Sequence, residues 1–315
     1  MAAVEVHELR KSYGDLVVVD GVSFTVEAGE VFALLGPNGA GKTTTVEILE
    51  GHRRADGGRV SVLGFDPATH ARAFLERIGI VLQDAGFEED FTVLELVNLQ
   101  RGLYPRRVPA DALIETVGLT GKRKARVRTL SGGQRRRLDL ALGLVGDPEM
   151  LFLDEPTTGF DPSARHRAWG LVEGLRETGK TVLLTTHYLD EAEHLADRVA
   201  VMVEGRIVAV GTPAELTAGQ RSVVVSFRLP RGTPAAELPE LPELGSMPVA
   251  DGAGWTLSTA EPAAVLHALS GWALDRRIEL PALEVRRPSL EDAYLALVGS
   301  AAVERQDTAV RPGRA

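Results

Sequence analysis

The sequence predicts an α/β protein with a mostly parallel sheet around a phosphate-binding loop, followed by a small α+β appendage. Three observations carry that prediction. Short apolar runs at Val31–Leu35, Met150–Leu153, Thr181–Thr185 and Val199–Val203 are separated by helix-length, polar-patterned segments, the rhythm of βαβ units. A glycine-rich loop directly follows the first run. Near Gly219 the composition shifts, and residues 229–250 carry Pro230, Pro234, Pro239, Pro242 and Pro248, which suits a loop or linker rather than the interior of an element.

Taken in order, residues 1–35 alternate apolar and polar and break at Tyr13-Gly14-Asp15 and at Glu27-Ala28-Gly29-Glu30. That pattern predicts hairpins leading into a buried strand, Val31–Leu35. The glycine loop and a helix follow. From Thr92 to Val145 the spacing turns helical, punctuated by Pro105, Pro109 and Gly118, and predicts a mainly helical lobe set into the α/β core. In the appendage, Val223–Leu229, Trp255–Ser258 and Ile278–Val285 read as strands and Pro262–Leu269 as a helix. A last helix opens with Ser289 and Asp292 spaced as a capping box, and Leu290, Ala293, Tyr294, Leu297 and Val298 form one apolar stripe. The expected division is 1–218 for the nucleotide-binding part, 219–300 for the α+β domain and 301–315 for a disordered tail.

Composition narrows the function classes. With 315 residues, 44% hydrophobic and 25% charged, the chain can bury a sizeable core, which excludes disorder over most of its length. The 35 basic and 44 acidic residues leave a net charge of −9, which argues against nucleic acid as a direct partner. There is no cysteine, so disulfides, thiolate metal sites and thiol nucleophiles are excluded. The opening residues, MAAVEVHELRKSYGD, lack the basic-then-apolar pattern of a secretory signal. No apolar run approaches the roughly 18 residues a spanning helix needs, so the chain is not expected to cross a membrane alone.

The chemistry concentrates in three segments. Gly36-Pro37-Asn38-Gly39-Ala40-Gly41-Lys42-Thr43-Thr44 matches GxxxxGK[ST] between a strand and a helix. In that motif, converging backbone N–H groups and the helix N-terminus cradle phosphates, Lys42 reaches the β and γ phosphates, and Thr43 ligates Mg²⁺. Asp154-Glu155 ends the apolar run Met150–Leu153 at the edge where open α/β sheets bind ligands. There Asp154 suits the Mg²⁺ shell and Glu155 a general base on the attacking water; alone such a pair is more often a turn or helix cap, and the phosphate loop upstream reverses that balance. Ser131-Gly132-Gly133-Gln134 precedes helix-forming residues and reads as a capping turn that also offers a second anion site. Two basic runs, Lys122–Arg128 and Arg135–Arg137, flank it, and counter-charge for nucleotide or proximity to anionic lipid accounts for them better than nucleic acid, because no aromatic residues are interleaved.

The phosphate loop, LSGGQ at Leu130–Gln134 and LFLDEPTTG at Leu151–Gly159, in this order and spacing, resemble the nucleotide-binding subunit of ATP-binding cassette (ABC) transporters over residues 4 to about 215. The resemblance implies a P-loop NTPase cassette with an antiparallel β-subdomain and a helical subdomain, and ATP with Mg²⁺ as cofactors. It matches Tyr13 to an adenine-stacking aromatic, which the residues alone read equally as a hairpin-turn tyrosine. Gln83 matches the glutamine that touches Mg²⁺ and water, His187 the switch histidine at the γ-phosphate, and Asp161 the aspartate of the loop after Glu155. Phe160 departs from the usual leucine and puts the packing there in question. The resemblance further implies a nucleotide-sandwich homodimer, separate polytopic membrane subunits, and a peripheral place on the cytoplasmic face of the membrane. Arg287–Leu297 is similar to the C-terminal extension of drug-resistance (daunorubicin-type) exporter subunits, so an exporter of drug-like or lipid-like substrates is expected. The alternatives are a non-transport cassette acting on ribosomes or DNA, or an importer subunit.

Overall fold

Alternating apolar residues build two long strands, β1 (Ala2–Tyr13) and β2 (Leu16–Glu27), paired antiparallel. Val4, Val6 and Leu9 share the buried face of β1 because the register shifts between Val6 and Leu9, with Glu8 at φ 49°. Such a bulge lets a residue out of step with the period of two still reach the core. A computed structural model of the chain describes residues 2–81, 86, 88–218, 223–230, 233, 238–239, 241, 249–251, 254–286, 289–295 and 297–298.

After β3 (Val31–Leu35) and α1 (Lys42–Leu49) comes β4 (Gly57–Val62), which joins the hairpin in a three-stranded sheet of order β2-β1-β4. The chain continues through α2 (Arg72–Leu75) and β5 (Ile78–Val81) into the helical stretch α3 (Val93–Arg101), α4 (Ala110–Thr116) and α5 (Gly132–Gly143). It returns through β6 (Met150–Asp154), α6 (Pro162–Glu177), β7 (Thr181–Thr186), α7 (Leu189–Leu195), β8 (Arg198–Val203) and β9 (Arg206–Gly211). Six strands form one sheet of order β5-β6-β7-β3-β8-β9, parallel throughout except for the antiparallel edge pair β8–β9. Every residue of β3, β6 and β7 is buried, as expected for central strands covered on both faces. Their continuous apolar runs therefore encode the interior of the sheet, and stacking of Phe24 on Phe32, 5.2 Å between ring centroids, ties the hairpin to it.

Registers place the functional loops. Leu35 of β3 pairs with Thr186 of β7, and Asp154 of β6 with Thr185 of β7, so three strands end at one level. The loops after them, 36–41, 155–161 and 187–188, leave the same edge of the sheet. This edge is the one the sequence marks for ligands.

The chain divides into two compact units, Met1–Pro213 and Ala214–Ala315. The division falls at the start of α8 (Pro213–Ala218), and the second unit holds β10 (Val223–Phe227), β11 (Val249–Asp251), β12 (Gly254–Thr259), α9 (Pro262–Arg276) and β13 (Glu284–Arg286). Its sheet has order β11-β12-β10-β13, all antiparallel, and Val225, Phe227 and Leu257 pack with Val265 and Leu269 of α9. The helix predicted at Pro262–Leu269 extends to Arg276, because Trp272 and Ala273 continue its buried face. The strand predicted over Ile278–Val285 is shortened to Glu284–Arg286, since Pro281 and Ala282 at φ 55° make a turn. Within the proline-rich stretch, the short strand β11 and the buried Leu241 were not anticipated. Ser289 and Asp292 form the capping box, with Ser289 N donating to Asp292 Oδ2 at 2.8 Å and Asp292 N to Ser289 Oγ at 3.3 Å. The Arg286 guanidinium beside it holds the Asp292 carboxyl down at about 2. The tail 301–315 lies outside the described residues.

Candidate nucleotide site

The glycine loop closes tightly against its own unit. Gly41 has φ 97°, and a Cβ there would stand 2.5 Å from the Val18 carbonyl oxygen. A Cβ on Gly36 would stand 2.2 Å from the Met202 carbonyl oxygen. Glycine is therefore required at both positions by backbone approach, independently of any ligand. The loop frames a cavity of about 300 Å³ bounded by Asn38 to Thr44, Val18 and Glu155. A wider groove of about 760 Å³, bounded by His7, Arg54 and Arg59 among others, contains none of the predicted site residues. Chemistry rather than volume selects the smaller cavity.

Lys42 is buried, and its Nζ donates to the carbonyls of Gly36 at 2.7 Å and Pro37 at 3.2 Å. Burial pushes its ammonium below the usual lysine value, while Glu155, 3.9 Å away, and Asp154 pull it back. Thr43, by contrast, is exposed. Asp154 is buried at the end of β6 and accepts a hydrogen bond from the Thr185 hydroxyl.

Glu155 adopts φ 45°, a left-handed conformation that costs a non-glycine residue about 1–3 kcal/mol. Its neighbours hold both its N–H and its carboxylate. The Glu155 N–H donates to Thr185 Oγ1 at 3.0 Å, and Thr158 Oγ1 donates to Glu155 Oε2 at 3.0 Å. His187 Nδ1 stands 3.1 Å from Glu155 Oε1, yet the contact is not aligned as a hydrogen bond and Nδ1 is a buried nitrogen without one. Long or misaligned contacts of this kind are common where a site tightens only around its substrate.

The remaining predicted residues lie at two helix starts and one hairpin. Ser131 caps α5 in a reciprocal box, with Gln134 N donating to Ser131 Oγ at 3.4 Å and Ser131 N to Gln134 Oε1 at 3.0 Å, while Gly132 and Gly133 form the first turn. Asp161 caps α6 by accepting from Ala164 N at 2.8 Å. Tyr13 is 41% exposed at the end of β1, with the Arg53 guanidinium 5.5 Å and Lys11 Nζ 5.6 Å from its ring centre. The structure thus brings Lys42 and Glu155 to one cavity, with His187 against Glu155 and Asp154 beside it in the chain, and leaves Ser131–Gln134 outside its lining. Gln83 lies outside the described residues.

Several readings change. The arginine runs are not free counter-charge: Arg123 pairs with Asp111, Arg126 and Arg128 with Asp90, and Arg135 with Glu89. Arg136 and Arg137 turn inward onto backbone carbonyls. Local carboxylates and carbonyls satisfy these cations more closely than a distant phosphate could. Phe160 lines a small apolar cavity with Leu140, Leu153 and Leu171 of the same chain, so its bulk is accommodated inside the unit.

Residues 19–158 match the model of the ABC transporter family, and residues 223–289 match the ABC transporter domain-containing protein-like C-terminal domain. The Nod factor export ATP-binding protein I of Burkholderia lata is 40% identical over 304 residues, spanning 95% of this chain and 98% of that protein. The chain belongs to the ABC transporter ATP-binding subunits. Another relative, the daunorubicin/doxorubicin resistance ATP-binding protein DrrA of Streptomyces peucetius, is 40% identical across 96% of the chain and 94% of its own length. Among solved structures, an ATP-binding subunit of an ABC transporter superposes with a TM-score of 0.62 at 27% identity, over 69% of this chain and 92% of that one. The ABC subunit is thus an ATPase whose cassette fold and C-terminal domain are both represented in known relatives. Among its described residues, no helix is long and apolar enough to cross a membrane.

Proposed function

We propose that this ABC subunit hydrolyses Mg²⁺-ATP to drive export of a drug-like or lipid-like substrate through separate polytopic membrane subunits. The observation that carries the catalytic part is the convergence of Lys42, Glu155 and His187 at the mouth of the glycine loop. Export rests on full-length similarity to proteins named for Nod factor export and for daunorubicin/doxorubicin resistance.

In this reading the backbone of Gly36–Thr44 and the Lys42 ammonium hold the β and γ phosphates, and Tyr13 stacks on adenine. Glu155 takes the proton of the attacking water, a role worth typically about 10²- to 10⁴-fold, and His187 orients the γ-phosphate beside it. The donors near Lys42 suit Mg²⁺: the Asp154 carboxylate and the Thr43 hydroxyl are hard oxygens, and Mg²⁺ normally takes one or two carboxylates plus phosphate oxygens. Gln83 is assigned to the same shell. The metal, when bound, neutralises charge on the phosphate oxygens. Two copies pair head to tail, so that Ser131, Gly132, Gly133 and Gln134 of one copy close over the nucleotide held by the other, with Asp161 at the joint. The subunit works at the cytoplasmic face of the membrane.

The test is Mg²⁺-dependent ATPase activity of the purified full chain, alone and with its membrane subunits. Glu155→Gln is expected to keep ATP binding, lose turnover and elute as a dimer with ATP. Elution as a monomer, or undiminished turnover, refutes the assignment.

A further inference from the structure

Nothing in the glycine loop explains how Glu155 keeps its left-handed backbone, and the groups already described hold only its N–H and carboxylate. Its carbonyl accepts from Thr158 N at 3.2 Å within the loop and is also held from elsewhere. Arg136, one turn into α5, has a side chain 13% exposed and directs two of its three guanidinium nitrogens at this region. Its Nη2 donates to the carbonyls of Asp154 at 2.8 Å and Glu155 at 3.3 Å, and its Nε to the carbonyl of Pro156 at 3.2 Å. The third nitrogen, Nη1, meets Asp139 Oδ2 at 3.1 Å on the same helix. Three consecutive carbonyls are thus read by one planar fork, which a lysine could not reproduce with a single ammonium.

We propose that Arg136 is a positioning residue for Glu155, holding the carboxylate's loop in register from the helix that begins at Ser131–Gln134. The proposal rests on the catalytic role assigned to Glu155. It also gives the arginine triplet a function other than counter-charge. Because α5 starts with the segment proposed to close over the other copy's nucleotide, Arg136 joins that segment to the base of its own site through one rigid helix and one side chain. Asp139, whose carboxyl burial pushes up to about 6 against the pull of Arg136, orients the guanidinium rather than the loop.

The experiment uses the full-length chain with Arg136→Gln, Arg136→Lys, Glu155→Gln and the Arg136→Gln/Glu155→Gln double variant. Misplacing a reacting group by about 1 Å costs about 10²-fold, so Arg136→Gln should lower kcat by about that factor and leave KM for ATP within about threefold. Arg136→Lys should recover part of kcat at the same KM. If Arg136 acts through Glu155, the double variant is no slower than Glu155→Gln; a multiplied loss overturns the proposal, as does a loss that appears in KM instead of kcat. Hydrogen exchange of the nucleotide-free chain reads the same claim without turnover. Amides of Glu155, Thr157 and Thr158 should exchange faster in Arg136→Gln while those of β3 are unchanged, and equal exchange overturns it. Absence of turnover in the unsubstituted chain would count against the proposed function alone, since the exchange result still decides the role of Arg136.

Discussion

Two helix N-termini carry the phosphate chemistry assigned to this cassette, and they are built in opposite ways. α1 starts at Gly41 in a left-handed conformation with no side chain capping its first turn. α5 starts at Ser131 with both halves of a capping box made. A helix leaves its first N–H groups without intrahelical partners, so the uncapped end keeps them for a ligand and the capped end satisfies some of them itself. The difference matches the proposed division of labour. In that proposal the glycine loop binds nucleotide within one chain, whereas Ser131–Gln134 must stay ordered until a second copy presents a phosphate.

The largest effect that would sharpen this contrast lies at the uncapped end. Lys42→Ala removes the only side-chain cation facing the cavity among the described residues, and removal of one such charge-stabilising donor typically costs about 10²- to 10³-fold in turnover. ATP binding by the single chain should weaken in parallel. Fold stability should change little, because burial already disfavours the Lys42 ammonium. Near-normal ATPase activity would break the comparison, since the open helix end would then be an ordinary tight turn.

The capped end should respond differently. Ser131→Ala removes one acceptor of the box and should cost about 1 kcal/mol of stability, with a fall in Tm of about 2–4 °C. ATP binding by the isolated chain should be unaffected, while ATP-dependent dimer formation should weaken. If nucleotide titrations of the single chain shift as much for Ser131→Ala as for Lys42→Ala, the two helix ends do the same work and the distinction fails.

How far each end was legible follows from the same physics. The glycine loop declares itself because its constraints are local: residue types at fixed spacing, a preceding apolar strand, a helix after it. The capping box at Ser131 and Gln134 is equally local. The inward turn of Arg136 is not, since it depends on the end of β6 and the loop after it coming within reach of α5, and in sequence Arg135, Arg136 and Arg137 look alike. In the structure they separate into a salt bridge to Glu89, a grip on the Asp154–Pro156 carbonyls, and a bond to the carbonyl of Gly118. The left-handed φ of Glu155 was hidden for a related reason, because the contacts from Thr185 and Arg136 that help hold a glutamate there are tertiary. In the second unit the buried face of α9 was readable in part, whereas β11 follows a proline-rich stretch and draws its stability from pairing with β12 rather than from its own three residues.

The smallest predicted effect concerns the other end of α1. Glu50 sits at its C-terminus and is 3% exposed, with His52 Nδ1 3.1 Å from its Oε2. Burial, with Asp154 and then Glu47 adding like charge, raises its carboxyl from 4.5 to about 8. A carboxylate at a helix C-terminus also opposes the helix dipole. With the folded value above the unfolded one, the folded chain binds more protons between the two. The stabilising contribution of Glu50 is therefore fully present below about 4.5 and is lost as pH rises through about 8. Glu50→Gln keeps the neutral shape and removes the titration. It should flatten the pH dependence of Tm across that window and raise Tm at alkaline pH by about 2–4 °C. The nucleotide-binding end of the same helix should be unaffected, with unchanged ATP affinity. A steeper pH profile in the variant would mean that the Glu50 carboxylate is stabilised as an anion by His52, and that α1 is supported by charge at its C-terminus.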